Sequence, residues 1–143
     1  MQFSDHYPLT PFQITDFEKL KIVIERFPLA TIISQRPDTP MVSQIPLILD
    51  EDNQNLLGHF DKNNPHCQDI LKEEKIYCVF SGPNHYMSPE IYPDEQFPGW
   101  NYVSVHVTGT VKAITEHEKL EEILLNTTKY NEKPASKYGL KTS

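Results

Sequence analysis

An α+β fold, a small antiparallel β-barrel with helices at its margins, is the architecture this sequence predicts. Three observations carry it. Between Leu29 and Phe60, short apolar and β-branched runs alternate with tight polar turns, the pattern of strands that meander antiparallel. Helical spacing of apolar residues is confined to a segment near each end and one brief stretch between them. The 143 residues, 38% hydrophobic and 23% charged, suit one modest core. A single domain over 1–143 is therefore expected, with 131–143 as a flexible tail.

The elements follow in order. A loop rich in aromatics and prolines runs through Pro11. Thr15-Asp16-Phe17-Glu18 then reads as a capping box, with Thr15 as N-cap and Glu18 three residues on. Phe17, Leu20, Val23, Ile24 and Phe27 continue at helical spacing, and Pro28 stops the helix. Leu29 to Gln35 is the first strand, Arg36-Pro37-Asp38-Thr39-Pro40 a turn, and Met41 to Leu49 the second strand of a hairpin. Pro46 cannot donate to a ladder, so an edge or a bulge is expected there, a place where backbone groups stand open to a ligand.

Asp50 to Asn55 is a polar loop, Leu56 to Phe60 a third strand, and Cys67 to Leu71 a short helix. Lys75 to Ser81 is apolar at consecutive positions, as in a strand buried on both faces. Gly82 to Gly99 holds four prolines and reads as a long irregular segment. Its His85, Tyr86, Tyr92 and Phe97, with Trp100 just beyond, are too aromatic for a solvated linker, so it should pack on a partner subunit or a planar ligand. Trp100 to Ile114 is the longest strand pattern. Val103, Val105, Val107, Val111 and Ala113 share one face; Tyr102, Ser104, His106, Thr108 and Thr110 share the other. Thr115 to Glu118 repeats the capping box, and Leu120, Ile123 and Leu124 give the last helix an apolar stripe.

The stretch richest in chemistry is Gly58-His59-Phe60-Asp61-Lys62-Asn63-Asn64-Pro65, where a strand hands over to a helix. A helix start offers unpaired N–H groups and a positive dipole end, and Lys62 adds a cation, so the place suits a phosphate. A plain polar turn with an Asn-Pro helix start accounts for the same residues. Elsewhere the signals are negative. Cys67 and Cys78 make neither a zinc spacing nor a redox pair, and Cys78 reads as a small core hydrophobe. The six histidines, at 6, 59, 66, 85, 106 and 117, lack paired ligand spacing, so no metal site is expected. Ser88 and Ser104 lack a nucleophile elbow, and no residue is placed as a committed general base.

A formal net charge of −7 opposes a broad nucleic-acid footprint. Lys129, Lys133, Lys137 and Lys141 recur every four residues, but Pro134 and Gly139 interrupt them, as in a solvated end. No apolar run approaches the ~20 residues of a membrane span. The first residues show neither a basic start nor an apolar segment, so a cytoplasmic protein without membrane contact is expected.

Several of these pieces, taken in register, resemble the PaiB family of FMN-binding negative transcriptional regulators. They are Ala30-Thr31-Ile32-Ile33-Ser34-Gln35, Ile45-Pro46-Leu47-Ile48-Leu49-Asp50, and Leu57-Gly58-His59-Phe60 with Lys62, Asn64 and Pro65. They continue with Phe80, Gly82-Pro83, Tyr86, Ser88-Pro89 and Tyr92, then Pro98, Trp100-Asn101-Tyr102-Val103 and Val105-His106-Val107 with Gly109. The resemblance covers roughly residues 1–130.

It implies a split β-barrel that dimerises and holds FMN at the subunit interface. By resemblance, Ser43, Gln44, Ile45 and Pro46 run beside the flavin ring with their backbone, and His59, Lys62 and Asn64 surround the phosphate. Trp100, Asn101 and His106 lie near the cofactor or the interface, with His85 and His106 as candidate proton donors to a reduced flavin. The pattern departs from the family twice. Lys62 stands where arginine is usual, a point charge without the bidentate fork. The family's further strand, with its Ile-x-Gly and Lys-x-Ser-Gln-Asn signatures, is not found in these 143 residues, which leaves an edge for a partner chain or a loop to cover.

The leading expectation is a homodimeric FMN-binding protein with a flavin-linked regulatory or redox role. A non-catalytic transcriptional regulator or partner-binding module, and a family member that no longer holds FMN, are the alternatives. Direct DNA contact follows from the family label and is opposed by the charge.

Overall fold

The structure, a computed structural model, describes residues 10–72 and 75–137. After a short 3-10 turn at Thr10–Phe12 comes α1, Phe17–Arg26. Its N-cap is Asp16, not the expected Thr15: Asp16 Oδ1 accepts from the Glu18 amide at 3.1 Å. A carboxylate satisfies that amide and also suits the positive helix end, which a threonine hydroxyl does not.

Strands β1 (Leu29–Ser34) and β2 (Met41–Pro46) pair antiparallel, from Leu29 opposite Pro46 to Ser34 opposite Met41. The expected second strand breaks after Pro46. The Leu47 amide donates to the Pro28 carbonyl at 2.9 Å instead of continuing the ladder. The chain then enters a separate two-stranded sheet of β3 (Ile48–Leu49) and β4 (Leu56–Leu57). The third strand is correspondingly shorter than the expected Leu56 to Phe60. Between β3 and β4 the Asp50 carboxylate gathers the amides of Gln54 and Asn55, and Asn53 takes the left-handed conformation at φ 57°.

Helix α2 spans Pro65–Ile70, and β5 (Ile76–Met87) with β6 (Gly99–Gly109) completes a four-stranded antiparallel sheet of order β2-β1-β5-β6. Here the sequence expectation is corrected most. The segment beginning at Gly82 is not irregular throughout, because β5 continues to Met87. Ser81 pairs with Ser104 and Asn84 with Tyr102, so Gly82 and Pro83 together oppose Val103 in a bulge. A bulge leaves one residue unpaired, which accommodates the missing proline amide, and Gly82 lets the Val103 carbonyl approach. Two residues that read locally as breakers thus stay within a strand. The β6 ladder stops at Gly109, short of the expected Ile114.

One face of the sheet builds the core. Ala30 and Ile32 of β1, Cys78 and Phe80 of β5 and Val105 and Val107 of β6 are buried against Leu20 and Ile24 of α1, Ile70 of α2, and Leu47. The opposite face carries Thr31, Gln44, Val79 and His106 in one cross-strand row. Tyr77 and Val79 are only half-buried and Ser81 is exposed, so β5 is not covered on both faces as its unbroken apolar run suggested.

Helix α3, His117–Lys137, turns Ile123 and Thr127 inward and leaves Leu124 exposed, against the expected stripe. The Tyr130 hydroxyl donates to the Glu25 carbonyl at 2.7 Å and ties α3 to α1. The helix passes through Pro134 to Lys137, so the first part of the expected tail is helical; Gly139 and Lys141 lie outside the described residues. Among the described residues no helix is long and apolar enough to cross a membrane.

Candidate functional site

The turn between β4 and α2 is held against β2 from several directions. A Cβ on Gly58 would lie 2.5 Å from Leu47 Cδ2, 2.9 Å from the Pro46 carbonyl oxygen and 3.4 Å from Ile45 Cδ1, so only glycine permits this approach. The Asp61 side chain accepts from the Asn63 amide at 2.8 Å, and its carbonyl from the Asn64 amide at 2.9 Å. Asn64 caps α2: its Oδ1 accepts from the His66 amide at 3.0 Å, while its Nδ2 donates to Ser43 Oγ at 3.3 Å.

These bonds revise the expected phosphate chemistry. Pro65 has no amide hydrogen, and the next two amides, of His66 and Cys67, already bond to the Asn64 side chain and carbonyl. The helix start therefore offers an anion few free N–H groups. On the turn, the Lys62 and His59 side chains are exposed and have no hydrogen-bond or ion-pair partner among the described residues.

Behind the turn lies His66, fully buried. Its Nε2 is 2.9 Å from Ser34 Oγ and its Nδ1 is 2.8 Å from Ser43 Oγ, so the ring bridges β1 and β2. Phe60 meets it edge-on, with centroids 5.8 Å apart. Arg36 Nε donates to Asp69 Oδ2 at 2.7 Å and forms an ion pair with it, closing the far end of α2 onto the β1–β2 turn. In the sequence His66 stands out only as one of six scattered histidines. The signal for it was alternation: Ser34 and Ser43 stand at inward positions of strands whose other inward residues include Ala30, Ile32 and Ile45, and a buried hydroxyl requires a partner.

Burial holds the His66 pKa below the ordinary 6.5; the Asp69 charge opposes that shift and the Arg36 charge reinforces it. Above pH 6.5 both folded and unfolded chains carry the neutral ring. Below it the unfolded chain takes up a proton first, so stability falls with pH from 6.5 down through the depressed native value. Thermal melts between pH 5 and 8 are expected to show this slope in the wild type and a shallower one in His66→Gln. Equal slopes would deny His66 the role.

The other expected residues separate by face and by distance. Ser43 and Ile45 point inward beside the turn. Gln44 points outward, its Nε2 3.4 Å from Thr31 Oγ1. With Pro46 it lines an open cavity of about 360 Å³ whose walls include Phe27, Leu29, Thr31 and Asn131. His106 shares Gln44's face, three strands away, roughly 14 Å at the usual strand spacing. Its Nδ1 lies 2.7 Å from the Tyr77 hydroxyl and its Nε2 3.0 Å from Ser104 Oγ.

Trp100 and Asn101 lie on the distal part of the β5–β6 hairpin, opposite Tyr86 and His85, beyond the point where pairing with β1 ends. Trp100 is 62% exposed and stacks obliquely on Tyr86 at 5.9 Å. Within one chain, then, Ser43, Ile45, Pro46, His59, Lys62 and Asn64 belong to one neighbourhood, and Trp100, Asn101 and His106 do not join it. Among the described residues no three His, Cys, Asp or Glu side chains are grouped to hold a metal ion.

Comparison with known proteins adds lineage to this geometry. Residues 6–142 match the family described as "Putative FMN-binding domain". The chain is 27% identical over 121 residues to the "Protease synthase and sporulation protein PAI 2" of Bacillus subtilis (strain 168), covering 83% of this chain and 58% of that protein. It is 29% identical over 89 residues to the uncharacterized protein YKL070W of Saccharomyces cerevisiae, covering 56% and 53%. The chain thus spans a little over half the length of these curated relatives.

Among solved structures, the FAD and heme binding protein from Mycobacterium smegmatis superposes with a TM-score of 0.69 at 18% identity, over 91% of this chain and 60% of that one. The flavocytochrome Anf3 from Azotobacter vinelandii gives 0.65 at 15% identity, over 88% and 60%. At these identities the likeness shows a shared fold, the α+β split barrel.

Proposed function

The chain belongs to the FMN-binding domain family, and from that membership we propose that it binds a flavin, FMN, as a split-barrel homodimer with a flavin-linked regulatory or redox role. The observation that carries this reading is the clamped turn. Lys62 and His59 have no protein partner among the described residues, and they stand on a turn pinned by Gly58, Asn64 and His66 to the edge strand β2. That donor set fits a phosphate monoester: Lys62 supplies charge and His59 a ring nitrogen.

Strand β2 has one side without a neighbouring strand among the described residues, so backbone groups there are open to the polar rim of a flavin ring. The cavity on its outer face offers apolar walls in Phe27 and Leu29 and amide groups in Gln44 and Asn131. The distal β5–β6 hairpin, exposing Tyr86, Trp100 and Tyr102, supports a second copy as the surface that covers it and completes the site.

A bound flavin supplies one- and two-electron chemistry. The chain's own contribution is to bind and orient. His106, with its ring nitrogens at the Tyr77 and Ser104 hydroxyls, presents its ring on the outer face. The regulatory part of the reading draws on the resemblance and on the Bacillus relative, whose name refers to sporulation. With a net charge of −7, regulation passes through a protein partner or metabolism rather than through DNA.

The purified protein is expected to show the absorption bands of bound flavin, or to gain thermal stability when FMN is added. A colourless protein that gains none would reject the proposal. Lys62→Ala is expected to weaken FMN binding about tenfold, the scale of one charge-assisted hydrogen bond, with the melting temperature of the flavin-free protein unchanged. Lys62→Arg should retain affinity or improve it. Unchanged affinity in Lys62→Ala would show that Lys62 is not the phosphate cation.

A further inference from the structure

We infer that His66 is a positioning residue for the phosphate turn, fixing where Lys62 and His59 stand relative to β2 without touching the ligand itself. The inference rests on the reading of that turn as the flavin-phosphate site. Three polar residues are buried among those described, Ser34, His66 and Thr127, and two of them meet in this one contact. Burying an imidazole between two strands is costly unless both ring nitrogens are satisfied, and here both are.

The bonds suit one neutral state of the ring. Ser43 Oγ already accepts from Asn64 Nδ2, so its own proton is free to go to His66 Nδ1. In that arrangement Nε2 carries the ring proton and donates to Ser34 Oγ. A neutral ring of this tautomer joins β1, β2 and the capped start of α2 in one chain of hydrogen bonds. A protonated ring would require Ser43 to accept twice and leave its hydroxyl hydrogen without this partner. Arg36 and Asp69, the charged groups whose fields reach the ring, pair with each other.

The geometry explains why such a tether is needed. Lys62 and His59 hold no partner of their own among the described residues, so their placement depends on the ends of the turn. One end is the close contact of Gly58 with Pro46, and the other is Asn64-Pro65-His66. The direct Asn64–Ser43 bond is long, at 3.3 Å, while the bond through the His66 ring is 2.8 Å. Removing the ring leaves α2 anchored to β2 by the longer bond and leaves Ser34 buried without this partner.

Because riboflavin has the same ring as FMN without the phosphate, the two ligands separate positioning of the turn from a general loss of structure. Dissociation constants for both are measured by flavin fluorescence on the full chain, for wild type, His66→Ala, His66→Gln and Ser34→Ala. Ser34, 3% exposed and off the turn, supplies a second variant if His66→Ala does not fold. FMN affinity is expected to fall about tenfold in His66→Ala and about threefold in Ser34→Ala, with riboflavin changed less than about twofold and partial recovery in His66→Gln. The His66→Ala loss should also shrink in a Lys62→Ala background, because two residues that serve one contact do not act additively.

Equal losses for FMN and riboflavin, full additivity with Lys62→Ala, or unchanged FMN affinity in the variants that fold would each overturn the positioning role. In those cases wild type still binds FMN and Lys62→Ala still weakens it, so the site reading survives. If wild type binds no FMN, that reading fails and this inference fails with it.

Discussion

Phe80→Ala is expected to lower the unfolding free energy by about 3–5 kcal/mol. Phe80 is fully buried and is the largest side chain in that state. It lies mid-sheet, opposite Ala30 on β1 and Val105 on β6, in the cluster that includes Leu20 and Ile24 of α1. Alanine on one side and valine on the other are too small and too rigid to fill the space the ring leaves. The cavity therefore persists, and its cost adds to the lost transfer energy.

A domain of this size commonly has only about 5–15 kcal/mol in total, so the variant should melt far earlier and expose its core near physiological temperature. Urea denaturation of wild type and variant measures the difference. Val103→Ala, at a position 38% exposed on the same sheet, is the control and should cost under about 1 kcal/mol. A loss below about 1 kcal/mol for Phe80→Ala would show that the sheet and α1 close over the gap.

Gly58→Val is expected to lower stability by about 1–3 kcal/mol and to reduce FMN affinity at least as much as removing Lys62. The first added carbon would already stand 2.5 Å from Leu47 Cδ2 and 2.9 Å from the Pro46 carbonyl oxygen. A leucine methyl can rotate away, but the carbonyl belongs to the end of β2, paired with Leu29. The turn must therefore move off β2, taking Lys62 and His59 with it. Thermal melts and FMN titration of the same preparation separate the two effects. A variant that loses stability but keeps FMN affinity would show that the phosphate donors do not depend on this contact. Gly99→Ala, where an added carbon meets nothing within 4 Å, is the comparison.

These two positions differ in how legible they are. Phe80 follows Cys78 at the inward positions of an apolar run, and the alternation of β1 and β6 points to a facing core, so its burial is readable from pattern. Gly58 is readable as part of a chemically rich turn. The reason for a glycine there is not, because the atoms it must clear belong to residues 11 and 12 positions earlier, Leu47 and Pro46. The strand-to-helix turn itself stands where the sequence places it, but its chemistry differs by half. The expected free amides of the helix start, those of His66 and Cys67, are taken by Asn64, which leaves the exposed Lys62 and His59 side chains as groups without a partner among the described residues.

The β5–β6 hairpin shows the same division. Gly82-Pro83 breaks a regular strand by every local criterion, yet a bulge opposite Val103 absorbs both residues and carries the strand on to Met87. That the aromatic residues of this segment need a surface is legible from composition alone. Their mutual contact, Tyr86 against Trp100, requires the strand pairing to be known.

By itself the sequence determined the α+β class, the face α1 buries, the hairpin of β1 and β2, and the family, since helical and strand periods and ordered motifs are properties of residues near one another in the chain. Tertiary structure alone decided that Gln44 on β2 and His106 on β6 share one cross-strand row. It also decided that His66 binds Ser34 and Ser43 from 32 and 23 residues away. Hydrogen bonds across such separations depend on strand register and on the seating of α2, and no local period encodes either.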